Sequence, residues 1–540
     1  MRIQKQVISA GEAESRLRDG ERLEGFVIQG ELKLSGTYSH IIEINECDIG
    51  EFRADDCELQ DIQFVRSTFS RASFCNTKFN GKANFICSDF KVEGFFCGST
   101  FKGNCEMVGA SFTHAEFGGT TFESKADFSH SEFGELADFS RAKFKKQALF
   151  VEAKFEMGAD FRNSEFSGEA AFEKAIFGSP PKEDSEEKSQ DGMGDGFFNV
   201  ATFHEKADFD GAKFHCHADF RRVTFEGPVE FRGVEVSAGA HFNYAAFGGR
   251  CDFKKSEFGE FNCIQARVSE IFNFNLVTVG KSTDFCGTYF ELDATFSHTR
   301  FGGEAKFEKV RFGQADFSST YFNGSVDFLE AIFRRRVNFH QAGFADSICL
   351  LANFPNGAQL EWEQLKDGTG VGTRISNSRN GKHQEARDEF GRLKKIFESN
   401  NNYDAMDRAY ELFCYHENLR DPSKSRVSRL LNNFFLKVCT GYGTQPLRVL
   451  LAALGVITIF AIIYAALGGQ IFQTDSDQPD GGYGWDFYLY FSLTTFFAGG
   501  VEGVRPDFEG GVKMLVAAET ILGYLLMALL VVMLTRKLTR

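Results

Sequence analysis

The feature that most constrains this chain is a beat of phenylalanine in alternating steps of five and six residues. Between Phe128 and Phe177 the rings fall at 128, 133, 139, 144, 150, 155, 161, 166, 172 and 177, in eleven-residue units such as ADFSHSEFGEL. The beat returns at Phe198, Phe203, Phe209, Phe214, Phe220, Phe225 and Phe231. It runs on to Phe339 and Phe344, with Ile264, Val268 and Val279 as substitutes. A helix repeats every 3.6 residues and a strand every 2, so neither gathers these rings on one face. A step near five does so in a four-sided coil that offers one apolar residue per side. Small residues two positions before many rings, such as Ala126, Ala137, Ala159, Ala170, Ala207 and Ala218, turn inward beside them. Rings of successive coils then stack one strand spacing, roughly 4.8 Å, apart. No coil buries its own face, so stability comes from stacking.

These residues resemble the pentapeptide-repeat family in its Phe-rich form, which implies a right-handed quadrilateral β-helix. The same pattern with Ile, Leu and Val in FVIQGELKLSG and HIIEINECDIG starts the solenoid near Glu24, after an N-terminal cap over residues 1–23 with a short helix at 11–18. The β-helix is read over 24–344, with the acidic segment Pro180–Gly196 as an extruded loop. The 64 Phe against 13 Tyr and 2 Trp fit such repeated slots. The 13 Cys form no CxxC pair and read as small core residues with reduced thiols. Some acidic members of the family imitate duplex charge for topoisomerases, but the apolar C-terminal segments point elsewhere. A net charge of −15 speaks against a nucleic-acid partner. The repeat reads as a scaffold or a docking surface for a cytoplasmic protein. The N-terminus has no apolar run of the secretory type.

After Phe344 the beat stops, and residues 345–446 read as an α-helical connector. Phe390, Leu393, Ile396 and Phe397 make one helical face, and Ala405, Ala409, Leu412 and Phe413 continue it on a second helix. The segment SRVSRLLNNFFLKVCTGYGTQPLR, basic and apolar, suits the membrane surface.

Residues 447–540 read as a pore module. Leu447–Leu467 and Met514–Leu534 are each 21 residues, about 31 Å as helix, enough to cross the hydrocarbon. Basic residues at Arg426, Arg429, Lys437 and Arg448, and in the RKLTR tail, place both termini and the solenoid in the cytoplasm. Between the spans lie an acidic turn and the apolar FYLYFSLTTFFAGGVEGVRP, too short to cross and followed by Gly and Pro. Irregular backbone at membrane depth is tolerated only where it lines a cavity or is buried in protein.

Span, short helix, Gly-rich segment, Pro506 and a second span resemble the two-helix module of the potassium-channel superfamily. Tyr490, Phe491, Ser492 and Thr495 match its pore helix, and Gly523 matches its inner-helix hinge. The hairpin with GYGTQPLR also resembles a bacterial branch that couples pentapeptide repeats to this pore. The resemblance implies a homotetramer in the bacterial inner membrane, in contact with lipid. Where the family's filter reads TVGYGD, this chain reads Ala498, Gly499, Gly500, Val501, Glu502, Gly503, and only Gly500 lines up. The segment is closer to the GGGVGD-type filter of intracellular calcium-release channels. A tetramer would ring its mouth with Glu502, the candidate ligand for a permeating cation, and with Asp507. Carboxylate rings hold hard cations such as calcium. Glu519, a costly charge inside the second span, reads as a structural hydrogen-bonding group to the pore-loop backbone.

The expectation is a cation channel that is not potassium-selective and passes calcium or other divalents. Its rivals are a potassium or unselective monovalent channel and a non-conducting membrane-anchored scaffold. No catalytic spacing stands out, so neither an enzyme nor a cofactor beyond the permeating cation is expected.

Overall fold

The computed structural model describes residues 5–180, 194–367, 373–420, 425, 427–428, 436–437, 440–467, 472–473, 484–498, 505–506 and 511–539. It divides into two compact units, Met1–Ser376 and Asn377–Arg540.

The first unit is a β-solenoid of short parallel strands in two long sheets. Each strand pairs with the one a coil later, as in Lys78–Phe79 with Thr100–Phe101 and then Thr121–Phe122. The rings stack face to face along the axis: Phe117, Phe139, Phe161, Phe198, Phe220 and Phe242 follow one another with centroids 4.8 to 5.0 Å apart. That separation is the strand spacing, so the backbone ladder and the ring ladder share one period. The step from Phe161 to Phe198 passes over the acidic segment without a break (5.0 Å, 8° between ring planes). Residues 181–193 of that segment lie outside the described residues.

Each letter of the repeat has a local cause. The Asp before a ring accepts a hydrogen bond from the N–H two residues on, as Asp138 does from Ser140 (2.8 Å) and Asp316 from Ser318 (2.9 Å). This closes an Asx turn at the corner. The Ser or Thr three residues after the ring is buried, and its hydroxyl donates to a carbonyl of the coil before, as from Ser131 to Met107 (2.7 Å) and from Thr120 to Phe96 (2.8 Å). The small slot takes Ala83, Cys105 and Ala126 in register, so cysteine substitutes for alanine in the core. Burial pushes the Cys105 thiol well up from its ordinary range, which keeps it protonated.

Two readings of the repeat shift by a register or an element. At the Ile264 position the slot belongs instead to Cys263, buried in line between Phe242 and Phe285, while Ile264 is only half-buried. Phe261 fills the neighbouring small slot, so large and small side chains have exchanged places at nearly constant volume. The ladder also begins before Glu24. Strand Gln6–Ser9 pairs in parallel with Phe26–Lys33, and helix α1 (Ala10–Arg18) follows it. Ser9 caps that helix by accepting from the Glu12 N–H (3.2 Å). Past Phe344 the ladder continues through Ile348–Cys349, with single bridges out to Gln359 and Ile375. Leu350 fills a buried slot here, and Phe354 carries the ring stack one step further by stacking on Phe333 (5.2 Å, 11° between ring planes).

One corner residue per eleven is left-handed, and most are not glycine. The most strained is Val200 (φ 64°), because a β-branched side chain fits that region poorly. Val200→Gly should stabilise its coil by roughly 0.5–1 kcal/mol after the unfolded-state cost of glycine. Slower amide exchange across residues 196–203 would show it, and unchanged or faster exchange would refute it.

In the second unit, helices α2 (His383–Ser399) and α3 (Tyr403–Arg420) form a hairpin. Helix α2 buries Ala386, Phe390, Leu393 and Phe397, and α3 buries Ala405, Met406 and Ala409. Helices α4 (Pro446–Leu467) and α6 (Val512–Leu538) are long and apolar enough to cross a membrane, and α5 (Trp485–Ala498) lies between them in sequence.

Candidate functional site

Helix α5 has 14 residues, about 21 Å of helix, well short of a 30 Å hydrocarbon layer. It packs against both α4 and α6. Tyr488, Phe491, Ser492, Thr495 and Phe496 recur at helical spacing and are buried. The opposite stripe, Trp485, Leu489, Leu493 and Phe497, is apolar and exposed. The helix therefore turns the hydroxyl-bearing Ser492 and Thr495 inward, with Tyr488 on the same buried face, and leaves an oily face uncovered.

At the centre of the three helices sits Glu519 of α6, fully buried. The Tyr464 hydroxyl of α4 donates to its Oε2 (2.7 Å), and its Oε1 bonds the Ser492 hydroxyl of α5. Ser492 also bonds the Ile457 carbonyl (2.9 Å), and the Tyr464 and Phe491 rings meet edge to face at 5.0 Å. Glu519 thus binds side chains of α4 and α5, not the pore-loop backbone expected for it. The amides of α5 are committed within the helix, so hydroxyls are the donors left at that depth.

Four residues further along, Gly523 faces the last full turn of α5. A Cβ there would lie 2.2 Å from the Phe496 carbonyl oxygen, so only glycine permits this approach. Thr520 of the same turn donates to the Thr495 carbonyl (3.3 Å). Ala498 ends α5. Gly499, Gly500, Val501, Glu502, Gly503 and Asp507 lie outside the described residues. Phe472–Gln473, before α5, and Arg505–Pro506, between Gly503 and Asp507, pair as antiparallel backbone.

The hairpin contacts the far ends of both apolar helices. Asp407 of α3 lies 3.7 Å from Arg536 at the end of α6, and Arg536 also sits over the Tyr410 ring. Glu411 lies 3.5 Å from Arg448 at the start of α4 and accepts from the Gln445 amide (3.3 Å). Asp407, Tyr410 and Glu411 share one face of α3 at i, i+3 and i+4. Sequence reading found the hairpin but not this grip, which joins residues more than 30 positions apart.

A family description of pentapeptide repeats, nine copies long, matches residues 108–153 and 217–257. No curated protein and no solved structure gives a match. The chain carries pentapeptide repeats within a β-solenoid, which is followed by a helical region with, among the described residues, two apolar helices of membrane-spanning length.

Proposed function

We propose that this protein is a homotetrameric cation channel of the bacterial inner membrane, with its right-handed solenoid and both termini on the cytoplasmic side. Its pore passes calcium or other divalent ions in preference to potassium. The observation that carries this reading is α5: an apolar helix too short to span, wedged between two helices of spanning length, with hydroxyls turned inward. A re-entrant pore helix needs this arrangement, because its backbone polar groups must be satisfied inside protein. Its uncovered apolar stripe is the surface a neighbouring copy would bury in a closed ring. Ala498 to Gly503 then form the filter, with the Glu502 carboxylates ringed at its mouth and Asp507 beside them. The solenoid serves as a cytoplasmic scaffold, and the protein is not an enzyme.

Planar-bilayer recording under a calcium–potassium gradient tests this. The wild-type reversal is expected near the calcium potential and should move toward the potassium potential in Glu502→Gln. Reversal near the potassium potential, unchanged by the mutation, would make it a monovalent channel. Absence of current from a folded, inserted protein would leave a membrane-anchored scaffold.

A further inference from the structure

A groove of about 810 Å³ runs between α4 and α6 on one side of their contact. Leu451, Gly455 and Ile459 line it from α4, and Leu522, Leu525 and Leu529 from α6. Gly455 opens it: a Cβ added there would meet nothing within 4 Å. The mouth is different in kind, being formed by Lys437, Thr440 and Arg448. Arg448 is partly engaged, donating to the Lys437 carbonyl (2.8 Å) and lying 3.5 Å from Glu411. Lys437 lies over the Tyr415 ring at 4.3 Å, and among the described residues no carboxylate pairs with it.

An apolar slot that ends in a cation matches an amphiphile with an acyl chain and an anionic head. A second copy's spans match it less well, because the only acid in either span is Glu519, already bonded at the centre of its own unit. We propose that this groove is a binding site for one anionic phospholipid. An acyl chain lies along Gly455, and the phosphate rests on Lys437 with Arg448 beside it. The inference rests only on the spans crossing a membrane, not on ion conduction.

Native mass spectrometry of the full chain, exchanged into equal phosphatidylglycerol and phosphatidylcholine, tests it. Phosphatidylglycerol should be retained about fivefold over phosphatidylcholine, whose choline cancels its phosphate charge; that is the ratio one basic residue beside a net anionic head supports. Lys437→Gln should bring the two lipids near parity. Gly455→Leu, whose side chain enters open space, should cut retention of both while the protein stays monodisperse. Parity in the wild type, or retention untouched by both variants, would overturn the site. So would oxidative cross-linking of Gly455→Cys between copies, which would give the groove to a neighbouring chain. Release of the chain from membranes by carbonate would overturn the site together with the spans. Lipid preference without ion current would uphold it and fault the channel alone.

Discussion

Replacing Glu519 by alanine should destabilise the helical unit by about 3 kcal/mol, whereas glutamine should be tolerated. Alanine leaves a cavity between three helices and strands the Tyr464 and Ser492 hydroxyls, costs that add a packing loss to two lost hydrogen bonds. The case for glutamine rests on counting protons. Ser492 has one hydroxyl proton but two oxygen neighbours, the Ile457 carbonyl and Glu519. One of the two contacts needs a donor on residue 519, which a protonated carboxyl or an amide supplies and a carboxylate does not. Thermal midpoints of detergent-solubilised protein, followed by size exclusion, would rank wild type and glutamine together and alanine well below. Glutamine as damaging as alanine would show that a full charge is required. An alanine variant as stable as wild type would remove Glu519 from the packing of α5.

The second large effect belongs to the hairpin and depends on pH. His416 of α3 is buried, its Nδ1 3.0 Å from Nδ1 of His383 and its Nε2 2.9 Å from the Ser378 hydroxyl. Burial, with the charges of His383 and Lys437, lowers its pKa from 6.5 to about 4. Between those values the unfolded hairpin binds a proton that the folded one refuses. The stability is therefore whole above pH 6.5 and falls as the pH drops toward 4. The loss reaches about 2 kcal/mol at pH 5 and about 3 kcal/mol at pH 4. Amide protection factors over residues 383–420 should fall accordingly in wild type. His416→Phe, stacked on Phe390 in the place of the imidazole, should flatten the slope. An equal slope in that variant would move the effect to other groups.

The solenoid was legible because every coil poses the same problem and answers it with the same residues. Legibility failed where two slots traded volumes. Phe261 and Cys263 keep the core filled, but a scan for large apolar residues in one frame passes over Cys263 and lands on Ile264. It failed again past Phe344, where Leu350 takes a ring's place and Phe354 falls one residue off the beat. In the helical unit, lengths and hydropathy made the apolar helices readable. The partners of Glu519 were not, because Tyr464 and Ser492 lie 55 and 27 residues away and no local periodicity links them.

The unbroken ring stack from Phe161 to Phe198 has a practical side. The chain leaves the coil at Gly178 and returns at Gly194, where a Cβ on Gly178 would sit 3.0 Å from the Gly194 carbonyl oxygen. An excursion whose two ends touch leaves the coils on either side already in register, and each doubling of its length adds only about 0.6 kcal/mol of closure entropy. That interval is accordingly a natural docking port for grafted cargo. A fluorescent domain or an affinity epitope spliced there would ride on the solenoid as a side branch, reporting on the protein without interrupting its spine.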